Sequence, residues 1–188
     1  MDEIREYFRQ MVDLDDADWQ VFSSKLKKSE YRKKTILLKQ GEVENHLSFI
    51  EEGSVRLYVP KTENDLTFGF CFKGEFISAY DSFLTRSPSS YQTETLTKTI
   101  LWRLDFNDLQ DIYKRTKIGN AIGRITAERL FLIKSRREQS LLDDTAEERY
   151  LKLFAERPQL IKEVPLKYLA SYIGVTPQAL SRIRKRIS

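Results

Sequence analysis

One cysteine and one histidine are all that 188 residues contain of the side chains most used for metal binding and redox chemistry. A lone thiol cannot close an internal disulfide, nor can it supply a multi-cysteine zinc or iron–sulfur site within one chain. Cys71 lies in the apolar run Phe68-Gly69-Phe70-Cys71-Phe72 and is expected to behave as a small buried hydrophobe. His46 sits in the polar turn Glu44-Asn45-His46. With no second imidazole and no neighbouring nucleophile it is expected to be surface structure, neither metal ligand nor catalytic base. Also missing are a glycine-rich phosphate loop and a nucleophile–base pair, so enzymatic activity is not expected. No apolar run reaches membrane-spanning length, and the start, Met1-Asp2-Glu3-Ile4-Arg5-Glu6, has no apolar signal-peptide core. The expectation is a soluble, cytoplasmic protein with no membrane partner. Internal repeats and low-complexity segments are absent as well.

What is present is charge, unevenly placed. Thirty-two Lys and Arg against 28 Asp and Glu give a net +4. The first 20 residues hold Asp2, Glu3, Glu6, Asp13, Asp15, Asp16 and Asp18 against two arginines, whereas residues 166–188 carry only positive charge. Attraction to a polyanion would therefore act at one end. The apolar content of 40% suffices for one large or two small cores.

Periodicity divides the chain. Asp15 can cap a helix in which Trp19, Phe22 and Leu26 recur at i, i+3 and i+7. From Glu30 the period changes to two: Leu47/Phe49, Val55/Leu57/Val59, Phe68/Phe70/Phe72, Tyr91/Thr93/Thr95 and Ile100/Trp102/Leu104 alternate, separated by turn residues such as Glu52-Gly53 and Lys73-Gly74. Many short alternating strands predict a rolled antiparallel sheet. After Leu104 a short helix starts at Asp105 or Asn107, then a longer one from about residue 117 to 139. Its stripe of Ile118, Ala121, Ile122, Ile125 and Leu132 is accompanied by Leu130, Phe131 and Ile133 in other directions. A helix apolar on more than one side is buried on more than one side. Either one side packs on the sheet while Ile118, Ile122, Ile125 and Leu132 meet a second copy across a two-fold axis, or the helix is a core element of a monomer; the dimer is favoured. Asp143-Asp144-Thr145 marks a hinge, and the next helix, bearing Tyr150, Leu151 and Phe154, ends near Arg157-Pro158.

The ending carries the sharpest signal. Leu166 to Lys185 reads L-K-Y-L-A-S-Y-I-G-V-T-P-Q-A-L-S-R-I-R-K. A small residue, Ala170, allows close helix crossing, and Gly174 four later tolerates positive φ in a tight reversal. Thr176 and Pro177 suit the N-cap and first position of a second helix. In that helix Leu180, Ile183 and Ile187 face inward, while Gln178, Arg182 and Lys185 point out, flanked by Ser181 and Arg186. A solvated helix in a basic protein would show the same charge; the turn, cap and core stripe favour DNA. The candidate DNA-contacting residues are Thr176, Gln178, Ser181, Arg182, Lys185 and Arg186.

A helix, a roll of strands, a long helix and a helix-turn-helix, in that order, resemble the Crp/Fnr superfamily of transcription regulators. The likeness is carried by Gly41-Glu42, by 49–58 (F-I-E-E-G-S-V-R-L-Y), by Gly74-Glu75-Phe76 and by 169–177 (L-A-S-Y-I-G-V-T-P). It implies an α+β protein with an N-terminal, jelly-roll-like antiparallel β-roll sensor over residues 1–115, a dimerisation helix and hinge over 116–142, and a small helix-turn-helix domain over 143–188. The chain given ends at Ser188, which implies that this domain lacks the full β-hairpin wing common in the family, with fewer phosphate contacts. The resemblance also implies homodimers, double-stranded DNA and RNA polymerase as partners, with an unknown small molecule as effector.

Members that bind a cyclic nucleotide use a Gly-Glu, then an Arg and a Ser or Thr. Gly74 and Glu75 match the first pair. The second falls on Ser89-Ser90, so the arginine is missing, with Arg86 three residues upstream. Enclosing a cyclic phosphate without a cation costs several kcal/mol. No cofactor is expected and a cyclic nucleotide is disfavoured; Gly74, Glu75, Arg86, Ser89 and Ser90 mark the effector pocket. The alternative is a degenerate sensor or interaction module that binds a small molecule or a protein.

Overall fold

The computed structural model describes residues 1–187. The chain runs through α1 (Asp2–Arg9), α2 (Asp16–Ser23), β1 (Lys27–Tyr31), β2 (Ile36–Leu38), β3 (His46–Glu52), β4 (Ser54–Val59), β5 (Leu66–Phe72), β6 (Phe76–Ile77), α3 (Tyr80–Thr85), β7 (Gln92–Thr95) and β8 (Thr99–Asp105). The helices α4 (Phe106–Arg115), α5 (Gly119–Asp143), α6 (Ala146–Glu156), α7 (Pro158–Glu163), α8 (Leu166–Ile173) and α9 (Pro177–Ile187) follow. This is the α+β arrangement expected, with two four-stranded sheets in the orders β1-β8-β3-β6 and β2-β7-β4-β5. By contacts the chain forms two compact units, residues 1–57 with 70–128, and residues 58–69 with 129–188.

In the first unit the alternating strands pair antiparallel: Leu47 opposes Leu104, Phe49 opposes Trp102 and Ile50 opposes Leu101, with a bulge before Glu52. Leu101 and Leu104 are buried, as are Phe49 and Ile50. A cluster of Ile4, Phe8, Leu14, Phe22, Phe49, Phe83, Leu104, Leu109 and Ile112 joins the roll to the helices. Its aromatic members meet edge to face, Phe8 with Phe22 at 4.9 Å and Phe49 with Phe76 at 5.1 Å between ring centroids, a geometry that adds to burial. The helix α1 escaped the periodicity argument because only Ile4 and Phe8, one turn apart, are buried in it. Asp15 caps α2 as expected, its carboxylate accepting the Asp18 N–H at 2.7 Å.

Period-two patterning in β4 conceals a second buried face. Val55 and Leu57 are buried, and so is Arg56, at 3% exposure. Arg56 survives there because its Nε and Nη2 both lie 2.9 Å from Glu94 Oε2 on β7. Removing either partner would strand a charge, which is the costly way to break such a pair.

Gly53, between β3 and β4, has φ +92°, and a Cβ there would stand 2.4 Å from Lys98 O and 2.6 Å from Thr99 Oγ1. Gly41 has a similar φ of +90° but open space around it. Gly53→Ala is therefore expected to destabilise the protein by about 2–4 kcal/mol and Gly41→Ala by only about 1–2 kcal/mol. Urea unfolding midpoints check the ranking; equal losses would mean that the turn is not packed against 97–99 as described.

Candidate nucleic-acid interface

Four carbonyls at the C-terminus of a helix lack intrahelical donors. At the end of α8 all four are satisfied, and the means fixes the turn. Gly174 adopts φ +81°, and the backbone closes a Schellman motif: Val175 N–H donates to Ala170 O at 3.0 Å and Gly174 N–H to Ser171 O at 3.1 Å. The remaining two carbonyls take arginines, Arg137 Nη2 on Tyr172 O at 2.7 Å and Arg149 Nε on Ile173 O at 2.8 Å. The Arg137 guanidinium also stacks 3.8 Å from the Tyr172 ring centroid. Burial lowers its pKa, and the Tyr172 contacts oppose that shift. Sequence periodicity gave no hint of either arginine, because each occupies an ordinary polar helix position.

Across the turn, Thr176 Oγ1 accepts the Ala179 N–H at 3.2 Å, and Pro177 opens α9. Ala170 and Leu180 are fully buried, with Leu169, Ile173 and Ile183 beside them in the buried class. Gln178, Arg182 and Lys185 are exposed on the opposite side of α9, and Ser181 is half-buried. Arg186 is exposed but pairs with Glu147 at the start of α6. Over its length α9 bears no carboxylate, so its outer face offers a glutamine and guanidinium and ammonium groups to an approaching anion.

The junction between α5 and α6 is held by charge and hydrogen bonds. Thr145 and Glu148 form a capping box at the start of α6. Asp144 accepts from Lys152 Nζ at 2.7 and 2.8 Å and from Ser140 Oγ at 2.5 Å.

In the first unit the proposed effector residues are engaged locally. Gly74 and Glu75 form the β5–β6 turn, where the Glu75 carboxylate accepts the Phe72 N–H at 2.9 Å. Arg86, with φ +58°, ends α3; its guanidinium donates to Glu44 O at 2.7 Å, to Phe83 O at 3.2 Å and to Asn45 Oδ1, and lies 4.4 Å from the Phe106 ring centroid. Ser89 is buried, its hydroxyl bonded to the backbone of Tyr91, while Ser90 is exposed. Arg86 thus points its donors at the turn before β3. Of the stripe assigned to a two-fold contact, Ile122 packs in the hydrophobic core with Ile118 against it, Ile125 is half-buried, and Leu132 is 51% exposed. His46, expected at the surface in a polar turn, instead opens β3 half-buried; its Nδ1 accepts from Arg103 Nη2, 2.7 Å away, and its Nε2 lies 3.0 Å from Asp105 Oδ1. No group of metal-ligating side chains occurs among the described residues, and none of the described helices is long and apolar enough to cross a membrane.

Hydrogen bonding to Lys152 and Ser140 holds the Asp144 carboxyl below the ordinary carboxylate range. A depressed folded pKa stabilises above the unfolded value, near 4, and that contribution disappears as pH falls through the lower folded value. Asp144→Asn is expected to weaken exchange protection of α6 at neutral pH, with the gap to the parent chain closing as pH falls through the depressed folded value. Hydrogen exchange across that range measures it; a gap constant with pH would exclude the linkage.

Residues 28–116 match the model of the cyclic nucleotide-binding domain. No curated protein matches by sequence. Among solved structures, a transcriptional regulator of the Crp/Fnr family from Eubacterium rectale superposes with a TM-score of 0.73 at 17% identity, covering 96% of this chain and 87% of that one. FixK2 from Bradyrhizobium japonicum gives 0.72 at 16% identity, over 86% and 84% of the two chains. The c-di-GMP-responsive global regulator CLP of Xanthomonas campestris gives 0.69 at 18%, over 92% and 91%. Residues 28–116 thus match the cyclic nucleotide-binding domain model, within a chain that has the fold of the Crp/Fnr regulators over nearly its whole length.

Proposed function

We propose that the protein is a sequence-specific, double-stranded-DNA-binding transcription regulator of the Crp/Fnr type and not an enzyme. The observation that carries this is the exposed, carboxylate-free face of α9, set on a capped and glycine-turned helix pair. Gln178 offers the amide geometry that pairs with adenine, and Arg182 the fork that pairs with guanine. Lys185 and Arg186, with Thr176 and Ser181, supply contacts to phosphate. Acting in the cytoplasm as a homodimer, the protein would read two half-sites about one helical turn apart. The apolar side chains available for that pairing are on α5, where Phe131, Leu132 and Ile133 are 70%, 51% and 58% exposed. RNA polymerase is the expected protein partner.

The effector, where one acts, is not cyclic AMP. Arg86 spends its guanidinium on Glu44 O, Phe83 O and Asn45, and Ser89 spends its hydroxyl on the Tyr91 backbone. Releasing Arg86 to meet a cyclic phosphate would uncover those acceptors, a cost of about 1–3 kcal/mol for each that is left buried.

Fluorescence anisotropy with a selected palindromic duplex and a scrambled control tests DNA reading. Binding should favour the palindrome and fall steeply with salt. Arg182→Ala is expected to cost about 1–3 kcal/mol and to relax preference at one position of each half-site. Equal binding to both duplexes at moderate salt would leave the interaction-module alternative. Titration calorimetry with cyclic AMP is expected to give no binding heat; saturable heat lost in Arg86→Ala would show that the arginine does swing into the pocket.

A further inference from the structure

One hydroxyl on α8 holds the tip of the β4–β5 hairpin. Ser171 Oγ donates to Asp65 O at 2.8 Å and accepts the Thr67 N–H, also at 2.8 Å. Thr67 is buried, so its N–H would be costly to leave without an acceptor. One residue on, the Lys134 ammonium of α5 lies 5.4 Å from the Phe68 ring centroid. The tip, residues 58–69, accordingly packs with 129–188 as one unit.

The place of this contact gives it a consequence. Ser171 follows Lys167 by four residues on α8, so the two share a face. In a helix-turn-helix the first helix crosses the phosphate backbone, and hydroxyl and ammonium groups on its outer side are the groups that meet phosphate. Here the hydroxyl is already occupied, and the segment that occupies it, Lys61-Thr62-Glu63-Asn64-Asp65, brings two carboxylates for one ammonium. A duplex approaching this face of α8 meets a backbone turn where a phosphate would sit, together with charge of its own sign.

We infer that the β4–β5 tip is an autoinhibitory latch on the helix-turn-helix, with Ser171 as its catch. Latched, the tip covers the phosphate-facing side of α8. Unlatched, it frees Ser171 and removes Glu63 and Asp65 from the path of the backbone. The inference rests on the DNA-binding reading given above, and the latch has a readout that does not involve DNA.

Three full-length variants test it. Ser171→Ala removes both hydrogen bonds with little change of volume, Ser171→Thr keeps the hydroxyl, and Glu63→Gln removes a charge from the tip without touching the helix. Hydrogen exchange should show the Thr67 amide opening about tenfold faster or more in Ser171→Ala and near the parent rate in Ser171→Thr. On the palindromic duplex, Ser171→Ala should bind about three- to tenfold tighter, Glu63→Gln tighter by a smaller factor that shrinks with salt, and Ser171→Thr like the parent. Faster exchange at Thr67 with unchanged or weaker DNA affinity would overturn the inhibitory role. Unchanged exchange would overturn the latch itself. If no variant binds DNA while the Thr67 amide responds as described, the DNA-binding reading falls and the inhibitory role with it, leaving a structural clasp.

Discussion

An eight-residue helix ends with four carbonyl groups facing no donor within the helix, and the satisfaction of those four groups fixes the direction of α9. Two are closed by the backbone itself, which requires left-handed geometry at Gly174. The other two are closed by Arg137 and Arg149, side chains from α5 and α6. The turn between α8 and α9 is thus held at its inner edge by chain geometry and at its outer edge by guanidinium groups from separate helices. Hydrogen bonds from a charged donor are the stronger kind, and two of them at one helix terminus leave little freedom to the residues that follow.

The same economy governs the first unit, where a different material does the holding. Edge-to-face aromatic rings from α1, α2, β3 and β6 fill the space beside the roll, and Ile122 on the first part of α5 enters that core. Several polar groups trapped in the roll are satisfied within the chain: Arg56 by Glu94, Ser89 by the Tyr91 backbone, Thr95 by carbonyls of Arg32 and Thr35. A fold can keep the outline of a ligand-binding roll while its polar residues bond to one another, which is why outline alone does not identify an effector.

How much of this was legible beforehand depended on whether a residue announced itself locally. Gly174, Thr176 and Pro177 each have a conformational signature, so the turn and the start of α9 follow from residue type. The alternating strands and the Asp15 cap do so as well. The helix α7 was missed because Arg157-Pro158 looks like a terminus, whereas Pro158 here occupies the first turn of a new six-residue helix. The longer helix runs four residues past the expected end, to Asp143, since nothing in Ser140-Leu141-Leu142 disfavours continuation. Arg137, Arg149 and Ser171 were illegible for another reason. Their partners are backbone groups remote in sequence, and a backbone carbonyl leaves no trace in the residue type that carries it. Arg86 shows the converse: its proximity in sequence to Ser89 suggested a shared pocket, and only coordinates reveal that its donors are turned toward Glu44 and Asn45.

One further feature bears on how such a face would behave in solution. Arg186 does not wait bare at the end of α9 but is paired with Glu147. Neutralising a phosphate releases the cations condensed on the duplex whether or not the arginine was paired beforehand, but freeing Arg186 leaves the Glu147 carboxylate to be met by water and salt. Glu147 would then act as a built-in competitor for the phosphate, and because the pair is exposed to solvent its hold on Arg186 loosens as ionic strength rises.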